Sequence, residues 1–258
     1  MPLCLNMRAD LSIVIVSWNA RNFLRRCLES LHKSSGLWRT EIFVVDNASS
    51  DGSPEMVEAE FPNVHLLRNA DNLGFARANN LGIKRSSGRF VALVNSDIEV
   101  FPDSLDLILR YLELHPEIGL LGPRVLNSDL TLQGPSRPRR LPSLARTMAR
   151  AMALDRIIPS LTYYPVNATR PVDALGGCFW VIRREALEEV GLLDESFFIY
   201  AEDTDWCRRL KDARWQAVYF TDARVIHFGG ASSANAPARF QTEMYRANLH
   251  YWHKHGGR

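Results

Sequence analysis

Apolar runs and helical stripes alternate along this chain. Ser12-Ile13-Val14-Ile15-Val16-Ser17-Trp18 is an unbroken, β-branched run, the pattern of a strand buried on both faces. Phe23, Leu24, Cys27, Leu28 and Leu31 then recur at helical spacing, with Arg25, Arg26, Glu29 and Lys33 on the opposite face. Asn19 is expected to cap that helix. Residues 42–45 and 64–67 predict two more strands, and Ser53-Pro54-Glu55 predicts a helix start with Ser53 as its cap. Residues 75–84 read as a helix whose Ala76, Ala78 and Gly82 permit close packing. Residues 90–94 read as a fourth strand, and 103–115 as an amphipathic helix with Leu105, Ile108, Leu109 and Leu112 inward. Strands alternating with helices predict an α/β fold with a Rossmann-like, mainly parallel sheet flanked by helices.

Beyond a further extended run at 118–125 the composition shifts. Residues 127–170 hold several prolines and seven arginines, opposed only by Asp129 and Asp155. Residues 141–158 predict a helix with Leu144, Met148, Met152 and Leu154 as its apolar positions and arginines beside them. Such a helix either lies on an anionic membrane surface or packs on its own domain with solvated arginines. The glycine pair Gly176-Gly177 leads into an apolar strand that includes Trp180, and residues 185–190 form a short helix ending at Gly191. A helix follows that starts near Glu202 and turns Trp206, Leu210 and Ala213 inward. Residues 216–220 predict a strand, and 238–255 a last amphipathic helix whose tip of His250, His253, Lys254 and His255 is expected to be solvated.

The 258 residues suffice for one large domain with a sizeable core, and a net charge of +2 gives no global attraction to nucleic acid. No apolar run is long enough to span a membrane, and the first ten residues lack the pattern of a signal peptide, so a cytoplasmic location is expected. Cys4, Cys27, Cys178 and Cys207 match no zinc or redox spacing and read as free thiols. The sequons at Asn47 and Asn167 read as unused.

Three polar clusters carry the candidate chemistry. Asn95-Ser96-Asp97 follows the fourth strand directly. A carboxylate at the carboxyl end of such a strand suits a divalent cation bridged to phosphate, but the tripeptide also suits a turn or helix cap. Asp46 ends the second strand in the same way, ahead of the turn-forming run Asn47-Ala48-Ser49-Ser50-Asp51-Gly52; Asp51 reads as a carboxylate that stabilises this loop. Glu202, Asp203 and Asp205 crowd one helix start, where the helix dipole alone would favour them. His227, after the last strand, is alone in its stretch, and a lone histidine there is more often structural.

The first half resembles the nucleotide-binding part of glycosyltransferase family 2, the inverting GT-A enzymes. The likeness lies in Val16-Ser17-Trp18-Asn19, in Val45-Asp46-Asn47-Ala48-Ser49-Ser50-Asp51-Gly52-Ser53, in Asn72-Leu73-Gly74-Phe75-Ala76 and in Asn95-Ser96-Asp97. The segment from Gly176 to Leu210 is similar to the acceptor half of the rhamnosyltransferase-like members, whose signature is Glu-Asp-x-Asp. The resemblance implies one GT-A domain: a nucleotide-sugar-binding half over 10–125, a variable basic loop or amphipathic helix over 126–172, and an acceptor-binding half over 173–258.

It also implies roles. Ser17, Trp18, Asn19, Asp46, Asn72, Gly74, Asn95, Ser96 and Asp97 would face the donor, with Asp46 on the base. Uracil and thymine offer an N3–H donor that suits an acceptor-only carboxylate. Gly176, Gly177, Trp180, Glu202 and Trp206 would face the acceptor, and Asp203 would be the catalytic base with Glu202 beside it. Asp97 and His227 would hold Mg²⁺ or Mn²⁺. The family's strand-end motif is often Asp-x-Asp; here the first acid is Asn95, which lowers the local charge and predicts weaker metal binding. The implied activity moves a sugar, first of all rhamnose from dTDP-rhamnose, to a saccharide or lipid-linked saccharide in cell-surface polysaccharide synthesis, at the inner face of the membrane. Two other readings stand beside it. A nucleotidyltransferase usually carries a glycine-rich, basic phosphate loop after its first strand, where Ser17-Trp18-Asn19-Ala20 has none. A non-catalytic nucleotide-sugar-binding module would lack a base, where Glu202-Asp203 is present.

Overall fold

The structure is a computed structural model that describes residues 9–34, 36–230 and 237–256. Its first half follows the expected alternation: β1 (Leu11–Ser17), α1 (Arg21–Ser34), β2 (Thr40–Asp46), α2 (Ser53–Glu60), β3 (His65–Arg68), α3 (Phe75–Arg85), β4 (Phe90–Asn95), the short β5 (Ile98–Val100), α4 (Ser104–Leu114) and β6 (Ile118–Leu126). The second half adds α5 (Leu144–Ala151), α6 (Leu154–Ile157), β7 (Arg170–Val172), β8 (Phe179–Arg183), α7 (Arg184–Val190), α8 (Glu202–Asp212), β9 (Gln216–His227) and α9 (Pro237–His255).

All nine of these strands join one sheet in the order β3-β2-β1-β4-β8-β6-β9-β5, with β7 also beside β9. The block β3-β2-β1-β4 is parallel; β8 is inserted antiparallel between β4 and β6, and β5 and β7 run antiparallel to β9. Alternate residues of the central strands feed two cores. Ile13, Ile15, Ala92 and Val94 meet Leu24, Leu28, Leu105 and Ile108 on one face. Val14, Val91 and Leu93 meet Ala76, Ile83, Trp206 and Leu210 on the other. Each such fully buried aliphatic side chain contributes roughly 1.5–3 kcal/mol. Gly82 lets α3 lie directly on Val14, where a Cβ would overlap the valine methyls.

Local chemistry departs from the sequence expectation at four places. Asn19 does not cap α1. It adopts a left-handed conformation, and its Oδ1 accepts from the Ser50 amide while its own amide donates to Ser49 Oγ. The first amide of α1, on Arg21, donates instead to Asp51 Oδ2 at 2.8 Å, so the carboxylate of one loop caps the helix of another. At α2 the capping position falls to Gly52, and Ser53 Oγ turns back to donate to Asp51.

Residues 141–158 form no continuous helix. The chain breaks at Ala153, whose φ is 57°, and Leu144, Met148 and Met152 point to solvent rather than into the domain. The tip of α9 is not solvated throughout. His255 is buried, and its Nε2 and Lys254 Nζ each lie 2.7 Å from Asp205 Oδ1. Two short strands, β5 and β7, were too brief to show a periodicity. Cys27, Cys178 and Cys207 are buried free thiols, while Cys4 lies outside the described residues, as do Ala231 and Ser232 of the glycine-rich loop after β9.

Candidate active site

A cleft of about 220 Å³, partly open to solvent, lies at the carboxyl ends of β1, β2 and β4. That is where an open α/β sheet offers strand-end side chains and unpaired backbone to a ligand. Trp18, Asn72, Gly74, Asn95, Ser96, Asp97 and His227 line it. Gly74 cannot be replaced without strain: its φ is 82°, and a Cβ there would strike the carbonyl of Phe198, which accepts from the Phe75 amide at 2.6 Å.

Ser17 and Asp46 stand side by side in register at the ends of β1 and β2, both buried just under the cleft. Asp46 Oδ2 accepts from the Ser49 amide at 3.0 Å. Asp46 Oδ1 and Ser17 Oγ are buried with no hydrogen-bond partner among the described residues. A buried polar atom left unpaired costs about 1–3 kcal/mol, so these two neighbours form a spot with hydrogen-bonding capacity to spare. Asn47, by contrast, is structural: its amide donates to the Gly74 carbonyl, and its Oδ1 accepts from Asn69.

The other end of the cleft holds Asp97 and His227. Register pairs His227 with Ile98, which brings the end of β9 beside the end of β4. His227 Nε2 lies 3.2 Å from Asp97 Oδ1. Burial works against a charge on the imidazole, but the hydrogen bonds to Asp97 and to the Cys178 thiol outweigh it and push the pKa up to about 10. The other ring nitrogen, Nδ1, is 2.8 Å from Gln133 Oε1, which fixes Nε2 as the atom turned to the cleft. No group of three or more histidine, cysteine, aspartate or glutamate side chains among the described residues is arranged to hold a metal. The pair would fit an ion completed by substrate phosphates once Nε2 gives up its proton, since an imidazolium has no lone pair to offer: one carboxylate and one imidazole share a small space, and Asn95 Oδ1 is buried without a partner among the described residues.

The acidic motif begins α8 after Tyr200 and Ala201, both of positive φ. Its three acids have three different surroundings. Asp203 Oδ2 is 2.6 Å from Arg139 Nη2 and accepts weakly from the Gly177 amide at 3.3 Å; its Oδ1 accepts from the Thr204 amide and hydroxyl. Gly177 sets this distance, since its Cβ position lies 3.2 Å from the Cβ of Asp203 and 4.0 Å from the Phe75 ring that lines the cleft. Glu202 is buried with Oε2 unpartnered, and burial, helped by the charge of Asp203, pushes its pKa up to about 8. Asp205 is wholly buried and accepts from Arg209, Lys254 and His255.

The sequence-predicted residues thus divide. Trp18, Asn72, Gly74, Asn95, Ser96, Asp97 and His227 are at the cleft, with Ser17 and Asp46 beneath it and Gly177, Glu202 and Asp203 beyond Phe75. Asn19 is a loop anchor, and Gly176 packs on Ser136. Trp180 and Trp206 are not a sugar-binding wall. They are 1% and 0% exposed, with ring centroids 5.7 Å apart in the core. The aromatic lining comes instead from Phe75, Phe198, Tyr200 and Phe240. Gln133 and Arg139 escaped sequence reasoning because nothing in a proline- and arginine-rich stretch marks which side chains turn inward.

The family model described as glycosyl transferase family 2 matches residues 12–191. The chain is 31% identical over 253 residues to the N-acetylglucosaminyl-diphospho-decaprenol L-rhamnosyltransferase of Mycobacterium tuberculosis, an alignment covering 88% of this chain and 79% of that one. Among solved structures it resembles the mannosyltransferase PcManGT from Pyrobaculum calidifontis in complex with GDP-Man and Mn²⁺, with a TM-score of 0.59 at 18% identity over 86% of this chain. It also resembles S. aureus TarS, with a TM-score of 0.61 at 16% identity over 94% of this chain. It spans 57% and 40% of those two chains, and the likeness to them is one of fold.

Proposed function

Because this chain belongs to glycosyltransferase family 2, with the mixed α/β fold of the GT-A enzymes, we propose that it transfers a sugar from a nucleoside diphosphate donor to a saccharide hydroxyl with inversion at the anomeric carbon. The observation that carries this is the arrangement along one sheet edge: orphaned Ser17 and Asp46 at one end, the Asp97–His227 pair at the other, and Asp203 one glycine away from the cleft wall.

Residues 10–125 form the donor half in this reading. Asp46 Oδ1 accepts from N3–H of uracil or thymine, an atom match that adenine lacks. Trp18, Asn72 and Gly74 border the nucleoside, and Asn95 and Ser96 the ribose and diphosphate. Asp97 and His227 would hold Mg²⁺ or Mn²⁺, with Asn95 Oδ1 beside them; bound there, a divalent ion supplies Lewis-acid stabilisation of the leaving diphosphate worth several kcal/mol. Asp203 takes the proton of the acceptor hydroxyl as its oxygen bonds to the anomeric carbon. The bond from that carbon to the diphosphate breaks in the same displacement, and the electron pair leaves with the nucleoside diphosphate. Glu202, carrying its proton at neutral pH, donates a hydrogen bond to the acceptor.

The first donor to test is dTDP-rhamnose, and the first acceptor an N-acetylglucosaminyl-diphospho-polyprenol, as the name of the mycobacterial relative suggests. No helix among the described residues is long and apolar enough to cross a membrane. A lipid-linked acceptor would be met by surface contact, for which the exposed Leu144 and Met148 of α5 and Met152 just after it, with Arg150 and Arg156 close in the chain, offer apolar and cationic side chains. The test is turnover of a panel of nucleotide sugars with that acceptor. Rhamnosyl transfer from dTDP-rhamnose supports the reading in full; transfer from another donor keeps the glycosyltransferase and removes the rhamnose.

A further inference from the structure

One strap of the supposedly variable middle segment touches both ends of the candidate site. At residue 133, the Gln133 side chain accepts from and donates to His227, through Nδ1 and the backbone carbonyl respectively. At residue 136, Ser136 Oγ donates to Gln133 Oε1 and sits 3.6 Å from Cys178 Sγ. At residue 139, the backbone of Arg139 is bridged in both directions to Ala174, which fixes where its side chain starts. The guanidinium then reaches Asp203 Oδ2 at 2.6 Å and Thr204 Oγ1 at 3.1 Å.

We propose that Arg139 is the positioning residue of the acceptor base, holding the Asp203 carboxylate against Gly177 at the cleft wall. This rests on the reading of Asp203 as the base. Among the described residues, Arg139 is the cation paired with that carboxylate. Glu202 and Cys207 act on it from α8, and Tyr163 lies near Arg139 with Arg137 over its ring. Two adjacent buried acids with no cation repel each other, and one of them takes up a proton at a higher pH than a paired carboxylate does. The same Nη2 of Arg139 also donates to Thr204 Oγ1, whose hydroxyl donates to the other carboxylate oxygen, so one nitrogen ties down both oxygens of the base.

The test compares wild type, Arg139→Lys, Arg139→Met and Asp203→Asn by steady-state kinetics over pH 5–9, with donor affinity read separately by calorimetry on dTDP and dTDP-rhamnose. Arg139→Met is expected to lower kcat about a hundredfold, leave donor affinity within threefold, and move the acid limb of the pH–rate profile upward by about one unit. Arg139→Lys keeps the charge on a shorter, differently placed donor, and is expected to restore the acid limb while recovering only part of kcat. Wild-type kcat and an unmoved acid limb in Arg139→Met, beside an inactive Asp203→Asn, overturn the role of Arg139 and leave Asp203 as the base. Undiminished turnover in Asp203→Asn overturns the base itself, and the role of Arg139 with it. Equal loss of donor affinity and kcat in both Arg139 variants would show a structural part only and also overturns the proposal.

Discussion

His255 Nε2 lies 2.7 Å from Asp205 Oδ1, joining the last helix to the third acid of the Glu202-Asp203-Thr204-Asp205 motif at full burial. Lys254 and Arg209 pair with the same carboxylate. Asp205 therefore serves α8 and α9 rather than the substrate, although it belongs to the acidic signature.

Burial alone would raise the pKa of Asp205, but Lys254, His255 and Arg209 outweigh it and hold the carboxyl below the usual range. A depressed folded-state value gives stability that is present above the unfolded value near pH 4 and is lost as the pH falls through the folded one. Asp205→Asn takes the charge from the partly exposed Arg209 and from Lys254, which keeps Asp194 as a partner, and is expected to cost about 1–3 kcal/mol. Urea denaturation at pH values stepped down from 7 checks both statements: the deficit of the variant relative to wild type should be constant at neutral pH and begin to narrow only below the unfolded value near 4.

Glu202 has the opposite sign. Its folded-state pKa, raised by burial and by Asp203 to about 8, means that stability present below the unfolded value of 4.5 is lost as the pH rises toward 8. Glu202→Gln removes this titration. Its melting temperature should overtake that of wild type between pH 6 and pH 9, and parallel curves across that range would contradict the burial argument.

Asp97→Ala should remove the metal-dependent part of donor binding. Calorimetry of dTDP binding with and without 1 mM Mn²⁺ is expected to show, in wild type, a gain of about tenfold or more from the ion, and in the variant none. An undiminished gain would show that the ion sits elsewhere. His227→Ala should behave the same way, since Asp97 Oδ1 and His227 Nε2 are 3.2 Å apart.

The exposed row Leu144, Met148 and Met152 is expected to bind vesicles containing anionic phosphatidylglycerol. Leu144 is 71% exposed and no residue of α5 is buried. Replacing all three by serine should lower partitioning at least tenfold and leave turnover of a soluble acceptor analogue unchanged. Equal sedimentation of both proteins with vesicles would remove the membrane role of this face.

Much of this was legible in the residues. The strands of the parallel block are apolar on both faces, so Ile13 to Ile15 and Ala92 to Val94 announced themselves, and strand ends carrying Asp46 and Asp97 pointed to the cleft. What failed has physical causes. Asn19 is as good a helix cap as a loop anchor, and only the approach of Ser49 and Ser50 from another loop decides it. Trp180 and Trp206 suit a sugar wall and a core equally well, and the insertion of β8 between β4 and β6 buries them. Gln133 and Arg139 gain their meaning solely from partners far along the chain, His227 and Asp203.

The most direct measurement is the turnover of Asp203→Asn beside its affinity for dTDP-rhamnose and Mn²⁺. The amide keeps the shape of the side chain and cannot take the acceptor's proton, so donor affinity should stay within threefold of wild type while kcat falls by at least a factor of about a thousand. Transfer at the wild-type rate by a variant that binds donor normally would contradict the assignment of this side chain as the base, and with it the mechanism built around the cleft.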